Sequence, residues 1–306
     1  MKRLLAPFIA HGWSWMWKPT KYLPLSMLLI PFLSLAGWVL WFEPQQLVVR
    51  EIELELPHLA PAHDGLRIAL LSDLHVGTPY RGLSNLNGVV GRVNQAKPDL
   101  ILFLGDLVIQ GIVGGAWVSP EACAVKLSGL RAPLGVYGVM GNHDWWLNAP
   151  RVATALEHGG MTLLENSSTR IAVKGSPLWL AGVSDFNEKQ DDLDSALRGI
   201  PQEQPVILLS HSPDIFPEVP DRISLTVAGH THGGQVNLPF LGRIWVPSKY
   251  KQRYASGHVI EQGRHLFVTV GIGSSILPIR FRVPPEIVIL TIRPTLPESR
   301  HPRQPW

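Results

Sequence analysis

Residues 66–75, Leu-Arg-Ile-Ala-Leu-Leu-Ser-Asp-Leu-His, form a largely apolar run that leads directly into Asp73 and His75. An apolar run of this length is typical of a strand that is covered on both faces of a sheet. Four more runs have the same design: Leu100–Leu104 before Asp106, 136–140 before Asn142, His143 and Asp144, Val206–Leu209 before His211, and Leu225–Ala228 before His230 and His232. Five predicted strands thus each end in Asp, Asn or His.

These strand ends predict a metal site. Open α/β sheets bind ligands outside the carboxyl ends of their strands, so the side chains that follow the five strands should converge. Mixed carboxylate and imidazole ligands suit manganese, iron or zinc. Seven ligands are too many for one ion, whereas two divalent ions that share a bridging carboxylate fit the set. The seven candidates are Asp73, His75, Asp106, Asn142, His211, His230 and His232.

The order of the predicted elements indicates the fold class. A half-buried strand is predicted at 48–56, and helices at 83–96, 120–130 and 150–158 separate the first buried strands. Strands dominate after that, so the order is βαβαβα and then mostly β. This order predicts an α/β (α+β) domain around packed sheets, over residues 48–293, with a Pro-rich tail at 294–306.

Composition excludes several classes of protein. A content of 45% hydrophobic residues excludes a disordered chain. Cys123 is the sole cysteine, so neither a disulfide framework nor a Cys-rich zinc module can form. The net charge of +3 comes without a block of Lys and Arg, and we therefore expect no nucleic-acid partner. Nothing in the sequence indicates an obligate protein partner.

The five motifs together resemble the signature of the calcineurin-like metallophosphoesterase superfamily. That signature is Asp-x-His, Gly-Asp, Gly-Asn-His-Asp, His and Gly-His-x-His, and the resemblance covers residues 65–235. A later segment, 273–287, resembles the bacterial membrane-associated YkuE/YaeI-type phosphodiesterases and extends the match to about residue 293. The resemblance implies a four-layer αββα sandwich.

The resemblance also implies a role for each candidate residue. The first ion would be held by Asp73, His75, Asp106 and His232, and the second by Asp106, Asn142, His211 and His230, with Asp106 bridging the two. His143 resembles the residue that protonates the leaving oxygen or stabilises the charged phosphoryl group, and Asp144 would orient its ring.

The implied function is hydrolysis of a phosphodiester or pyrophosphate bond by a metal-activated water. A lipid-linked sugar nucleotide such as UDP-2,3-diacylglucosamine, an intermediate of lipid A biosynthesis, is the specific substrate that the bacterial subgroup suggests. A protein or nucleotide phosphomonoesterase is the enzymatic alternative. A metallophosphoesterase fold that binds without turnover is the alternative from a different class.

The N-terminal region predicts a membrane anchor. Residues 23–42 carry no charge, and 20 residues at about 1.5 Å each match a hydrocarbon core of about 30 Å. Residues 1–22 are basic and rich in Trp, and a cleaved signal peptide is the alternative. Four basic residues precede the span and one follows it, which predicts a single-pass protein of the bacterial inner membrane with an extracytoplasmic catalytic domain. Association with the cytoplasmic face is the other placement.

Overall fold

The computed structural model describes residues 25–295. The basic segment predicted at 1–22 lies outside the described residues, as does all but the start of the tail predicted at 294–306. The helices are α1 (Leu25–Gly37), α2 (Asn85–Gln95), α3 (Pro120–Leu127), α4 (Asn142–His158) and α5 (Leu193–Leu197). The strands are β1 (Val48–Leu56), β2 (Leu66–Leu71), β3 (Leu100–Leu104), β4 (Val136–Val139), β5 (Thr162–Leu163), β6 (Ser167–Val173), β7 (Ser176–Gly182), β8 (Val206–Leu209), β9 (Leu225–Ala228), β10 (Asn237–Leu238), β11 (Gly242–Arg243), β12 (Gly257–Glu261), β13 (Arg264–Val268) and β14 (Glu286–Pro294).

Two six-stranded sheets form the centre of the fold. The first has the order β1-β14-β2-β3-β4-β5 and the second has the order β12-β13-β9-β8-β7-β6. Neighbouring strands from β2 to β5 are parallel, and so are β7, β8, β9 and β13. The expected α/β class with packed sheets is therefore confirmed.

Apolar side chains on both faces of each sheet define the layers. Leu70 and Leu102 of the first sheet belong to one buried cluster with Leu180 and Leu209 of the second, which places the main core between the sheets. Side chains from α2, α3 and α4 cover the outer face of the first sheet. The outer face of the second sheet is covered by α5 and by short 3-10 segments, so this outer layer is largely irregular.

The transmembrane helix predicted at 23–42 is wrong. The α-helix in this region, α1, has 13 residues and spans about 20 Å, after which Trp38–Phe42 forms a π-helical turn. Within residues 25–295, no helix combines the length and the apolar character that a membrane crossing requires. This finding overturns the placement as a single-pass inner-membrane protein, and with it the orientation that was derived from the charges around the span.

The last part of the predicted span belongs to the globular domain. The carbonyl oxygen of Val39 accepts a hydrogen bond from the backbone N–H of Arg280, and that of Leu40 accepts one from the Tyr80 hydroxyl. Glu43 is the first residue after the predicted span, and its carboxylate accepts the backbone N–H of Val283. An apolar run gives no sign of such polar contacts, because they depend on residues that lie far away in the sequence.

Candidate metal centre

The parallel strands of both sheets have their carboxyl ends at one edge of the molecule, and the turns that follow these strands form the site. All seven predicted ligands lie there, on the turns that follow their strands. Asp73 and His75 follow β2, Asp106 follows β3, Asn142 begins α4 after β4, His211 follows β8, and His230 and His232 follow β9. The ligands therefore come from both sheets, and six of the seven are buried.

One cluster joins Asp73, His75, Asp106 and His232. Nε2 of His75 lies 3.1 Å from Nε2 of His232, which in turn lies 3.4 Å from Oδ1 of Asp73. The same His75 nitrogen is 3.5 Å from Oδ2 of Asp106. The ligand atoms of Asp73, His75 and His232 all lie within 4.8 Å of one another, and Asp106 approaches this group through His75.

A second cluster shares the Asp106 oxygen. Nε2 of His211 lies 3.3 Å from Oδ2 of Asp106. It also lies 3.2 Å from Oδ1 of Asn142 and 3.2 Å from Nδ1 of His230. Oδ2 of Asp106 is thus common to both clusters, while its Oδ1 accepts the backbone N–H of His143.

The spacing of these atoms fits a metal pair. Ligands bound at about 2.1 Å with angles of about 90–109° are about 3.0–3.4 Å apart, which is close to the separations in both clusters. Oδ1 of Asp73 is buried and has no hydrogen-bond partner in the described chain, although a buried carboxylate oxygen normally requires one. The donor set therefore suits divalent cations.

Backbone carbonyls orient two of the imidazoles for this purpose. Nδ1 of His75 lies 3.1 Å from the carbonyl oxygen of Val108, and Nδ1 of His211 lies 2.6 Å from that of Leu104. A carbonyl oxygen can only accept, so each Nδ1 carries the proton and each Nε2 lone pair points into its cluster.

Burial and neighbouring charges set the protonation of the ligands. Burial lowers the pKa of His75 and of His230 to about 3, and it lowers the pKa of His232 still further, so these rings are neutral. Burial raises the pKa of Asp73 to about 6. Burial also opposes ionisation of Asp106, but its hydrogen bond with His211 and the electrostatic effect of the neighbouring imidazoles together outweigh burial, and they hold the pKa of Asp106 well below its usual value.

Five of the seven ligands have a strained backbone. Asp73, His75, Asp106, His230 and His232 have φ values between 41° and 66°, in the left-handed region that L-residues rarely adopt. Such conformations cost free energy and persist where the surrounding structure imposes them, most often at functional sites. The strain is therefore an independent sign that these turns are shaped for a ligand.

His143 lies beside the centre, but its ring is not oriented by Asp144, so this prediction is wrong. The Asp144 carboxylate accepts the backbone N–H groups of Asp106, Leu107 and Gly141. It therefore holds the turn that carries the shared carboxylate. Nδ1 of His143 pairs instead with the side chain of Gln110, at 2.9 Å.

Two cavities open onto the centre. The front lobe has a volume of about 300 Å³, and His143, Trp146, Trp245 and Ile276 are part of its wall. The rear lobe has a volume of about 540 Å³ and is lined by Phe186, Asn187, Lys189, Asp191, Asp214, Ser248 and Lys249. His230 and Pro247 belong to both walls, so the lobes lie on either side of them.

The sequence interpretation missed two residues of this site. Asp185 is fully buried and follows β7 with the same design as the ligands, so the pattern of strand ends could have revealed it. Burial raises its pKa to about 6. Gln110 stands four residues after Asp106 in a run of apolar neighbours, and no local pattern marks it.

Comparison with known proteins identifies the class. A family model described as calcineurin-like phosphoesterase matches residues 66–234, which is more than half of the chain. The chain belongs to this family. The predicted resemblance is confirmed, and so is the prediction of a metal-dependent phosphoric ester hydrolase.

Individual relatives agree with this assignment. The uncharacterized metallophosphoesterase YkuE of Bacillus subtilis is 31% identical over 262 residues, which cover 85% of this chain and 90% of the relative. The phosphodiesterase YaeI of Escherichia coli is 29% identical, with 82% and 88% covered. A zebrafish (Danio rerio) transmembrane protein with a metallophosphoesterase domain is 30% identical, and here the match covers 88% of this chain but 62% of the relative.

Proposed function

We propose that this protein hydrolyses a phosphodiester or pyrophosphate bond at a centre of two divalent ions. The observation that carries the proposal is the pair of ligand clusters that share Oδ2 of Asp106, with two substrate-sized lobes that meet at His230. Asp73, His75 and His232 would hold one ion with Asp106, and Asn142, His211 and His230 would hold the other. When bound, such a pair supplies Lewis-acid stabilisation of the phosphoryl group and a water of lowered pKa.

The chain itself supplies the group that acts on the leaving oxygen. The ring of His143 is packed between His75 and Trp146, with centroid distances of 4.8 and 4.6 Å, and it lines the front lobe. A ring in this position can give a proton, or a hydrogen bond, to an ester oxygen that leaves through that lobe. Asp144 contributes by holding the turn that carries Asp106.

Two lobes favour an ester with two substituents over a monoester. A phosphodiester or pyrophosphate carries one group on each side of the reacting phosphorus, and the front and rear lobes provide a place for each. A phosphomonoester would leave one lobe without a substrate group.

The chemistry of the lobes supports an amphiphilic substrate. Trp146, Trp245 and Ile276 are more than half exposed at the front lobe, where an apolar group could cover them. The rear lobe is lined mainly by polar residues and carries two ammonium groups, of Lys189 and Lys249, beside two carboxyl groups, of Asp191 and Asp214. A lipid-linked sugar nucleotide such as UDP-2,3-diacylglucosamine has both kinds of group.

A substrate screen tests the proposal. The purified full chain would be assayed against mono-, di- and pyrophosphate esters, with and without acyl groups, after loading with manganese, iron or zinc. We expect turnover that a chelator abolishes, with diesters or pyrophosphates faster than monoesters and acylated substrates faster than soluble ones. Turnover of monoesters alone would identify a phosphomonoesterase. Full metal loading without turnover of any ester would indicate a binding scaffold.

A further inference from the structure

Gln110 uses both polar atoms of its side chain on His143. Its Oε1 lies 2.9 Å from Nδ1 of the ring, and its Nε2 lies 3.0 Å from the backbone carbonyl oxygen of the same residue. A carbonyl oxygen can only accept a hydrogen bond, so the amide NH₂ must face it. The amide oxygen must then face Nδ1, and Nδ1 must carry a proton.

This chain of constraints determines the tautomer of His143. With the proton on Nδ1, the neutral ring keeps its lone pair on Nε2. This nitrogen has no hydrogen-bond partner among residues 25–295, and it is not fully buried. Imidazole in water favours the opposite tautomer, with the proton on Nε2, so the protein has to impose this arrangement. The Asp144 carboxylate does not impose it, because that carboxylate accepts three backbone N–H groups.

The plane of the ring is held separately. The Trp146 ring packs on His143 at 4.6 Å, and its indole N–H donates to the Glu188 carboxylate at 2.7 Å. The two rings are tilted by 57°, and this contact restricts the movement of the His143 ring without distinguishing its two nitrogens. Among residues 25–295, the pair of hydrogen bonds with Gln110 makes that distinction.

We propose that Gln110 is the positioning residue that fixes which nitrogen of His143 faces the substrate. The proposal rests on the proposed function in one respect, namely that His143 acts on the leaving oxygen. When Nδ1 is hydrogen-bonded to Gln110, Nε2 is the nitrogen that faces the front lobe. In the charged ring, Nε2 then carries the proton that can be transferred to the leaving oxygen. Without Gln110 the ring could turn over or change tautomer within the same plane.

The tautomer can be measured without any activity. In the full chain labelled with ¹⁵N, long-range proton–nitrogen correlation distinguishes a protonated Nδ1 from a protonated Nε2, and the resonances lost in His143→Gln assign the ring. We expect neutral His143 with its proton on Nδ1 in the wild type, the same in Gln110→Glu, which keeps an acceptor, and a shift to Nε2–H in Gln110→Leu. The matched control is Gln202→Leu, an exposed change in the turn before β8, and it should leave the wild-type pattern intact.

Kinetics then test what the tautomer does. Gln110→Leu should lower kcat about 10-fold on an alkyl phosphodiester, the scale of one hydrogen bond, and it should leave KM nearly unchanged. With a nitrophenyl diester, which needs no proton on its leaving group, the loss should be small. A wild-type ring with its proton on Nε2, or a Gln110→Leu ring with an unchanged tautomer, would overturn the proposal. If the tautomer shifts as expected but the wild-type chain hydrolyses no ester, the positioning stands and the proposed function is refuted.

Discussion

Replacement of Gly141 by alanine should displace the Asp106 carboxylate, which the two ligand clusters share. Gly141 separates β4 from α4 and has φ −104° and ψ 173°, which alanine adopts without strain. The obstacle is steric overlap with buried neighbours. An added Cβ would lie against Oδ1 of Asp106, 2.7 Å from the backbone N of Asp106 and 2.7 Å from Cε1 of His211. Both partners are buried and belong to the second ligand cluster.

The size of the effect follows from what would have to move. A contact near 2.7 Å must lengthen by several tenths of an ångström, and overpacking of this kind typically costs about 1–3 kcal/mol. Movement of Asp106 and His211 also spoils the geometry of the cluster that they share. If the penalty falls on metal binding, affinity for the second ion drops about 5- to 150-fold, since about 1.4 kcal/mol corresponds to tenfold.

Metal titration of the metal-free protein, with metal content measured after dialysis, would give the affinity, and an ester assay would follow turnover. The matched control is Gly91→Ala on the exposed side of α2, where an added Cβ meets no atom within 4 Å. This change should raise stability by about 0.5–1 kcal/mol and leave metal content alone. If Gly141→Ala binds two ions with wild-type affinity and keeps full turnover, the assignment of Asp106 and His211 to a metal cluster is refuted.

Three further changes test other parts of the site. Asp106→Asn should reduce the content of both ions and lower turnover more than any other single ligand change, because Oδ2 serves both clusters; an intact pair of ions with full turnover would contradict this. His143→Gln should keep its metals but lose about 10²–10⁴-fold in turnover of alkyl esters and less with nitrophenyl esters, whereas an equal loss on both would exclude proton donation. Burial raises the pKa of Glu165 to about 7 from 4.5, so the folded metal-free chain holds a proton that the unfolded chain releases. The free energy of unfolding of the metal-free chain should therefore fall by at most about 3 kcal/mol as the pH rises from about 4.5 to about 7. Thermal melts of Glu165→Gln over this pH range should show a smaller fall than those of the wild type.

The convergence of the candidate ligands could be predicted because the information is local. Each candidate follows an apolar strand by two to four residues, and the parallel order of β2, β3 and β4 brings their ends together whatever the rest of the chain does. Asp185 obeys the same rule after β7. A lone Asp after a strand is more often a turn residue, and no His or Gly stands beside Asp185 to mark it.

The partners of these residues could not be predicted in the same way. Asp144 is adjacent to His143 in sequence, yet on α4 it turns towards the backbone of the β3 turn. Gln110 reaches His143 across 33 positions of sequence. The segment at 23–42 shows the same limitation, because its apolar composition predicts a span while its end is held by Tyr80 and Arg280. Hydrogen bonds between distant segments decide all three cases.

The buried acids around the centre suit a site that holds additional positive charge. Asp73, Asp144, Glu165 and Asp185 all have pKa values raised by burial, and Oδ2 of Asp185 and Oε2 of Glu165 have no partner among the described residues. Burial of four such carboxyl groups makes folding less favourable, and apolar residues in their place would avoid this free-energy cost. Two divalent ions add four positive charges, whereas the carboxylates of Asp73 and Asp106 supply two negative ones. The charge of Asp106 acts on both Asp144 and Asp185, so these two acids lie within electrostatic range of the centre, and their ionisation would offset the two positive charges that remain.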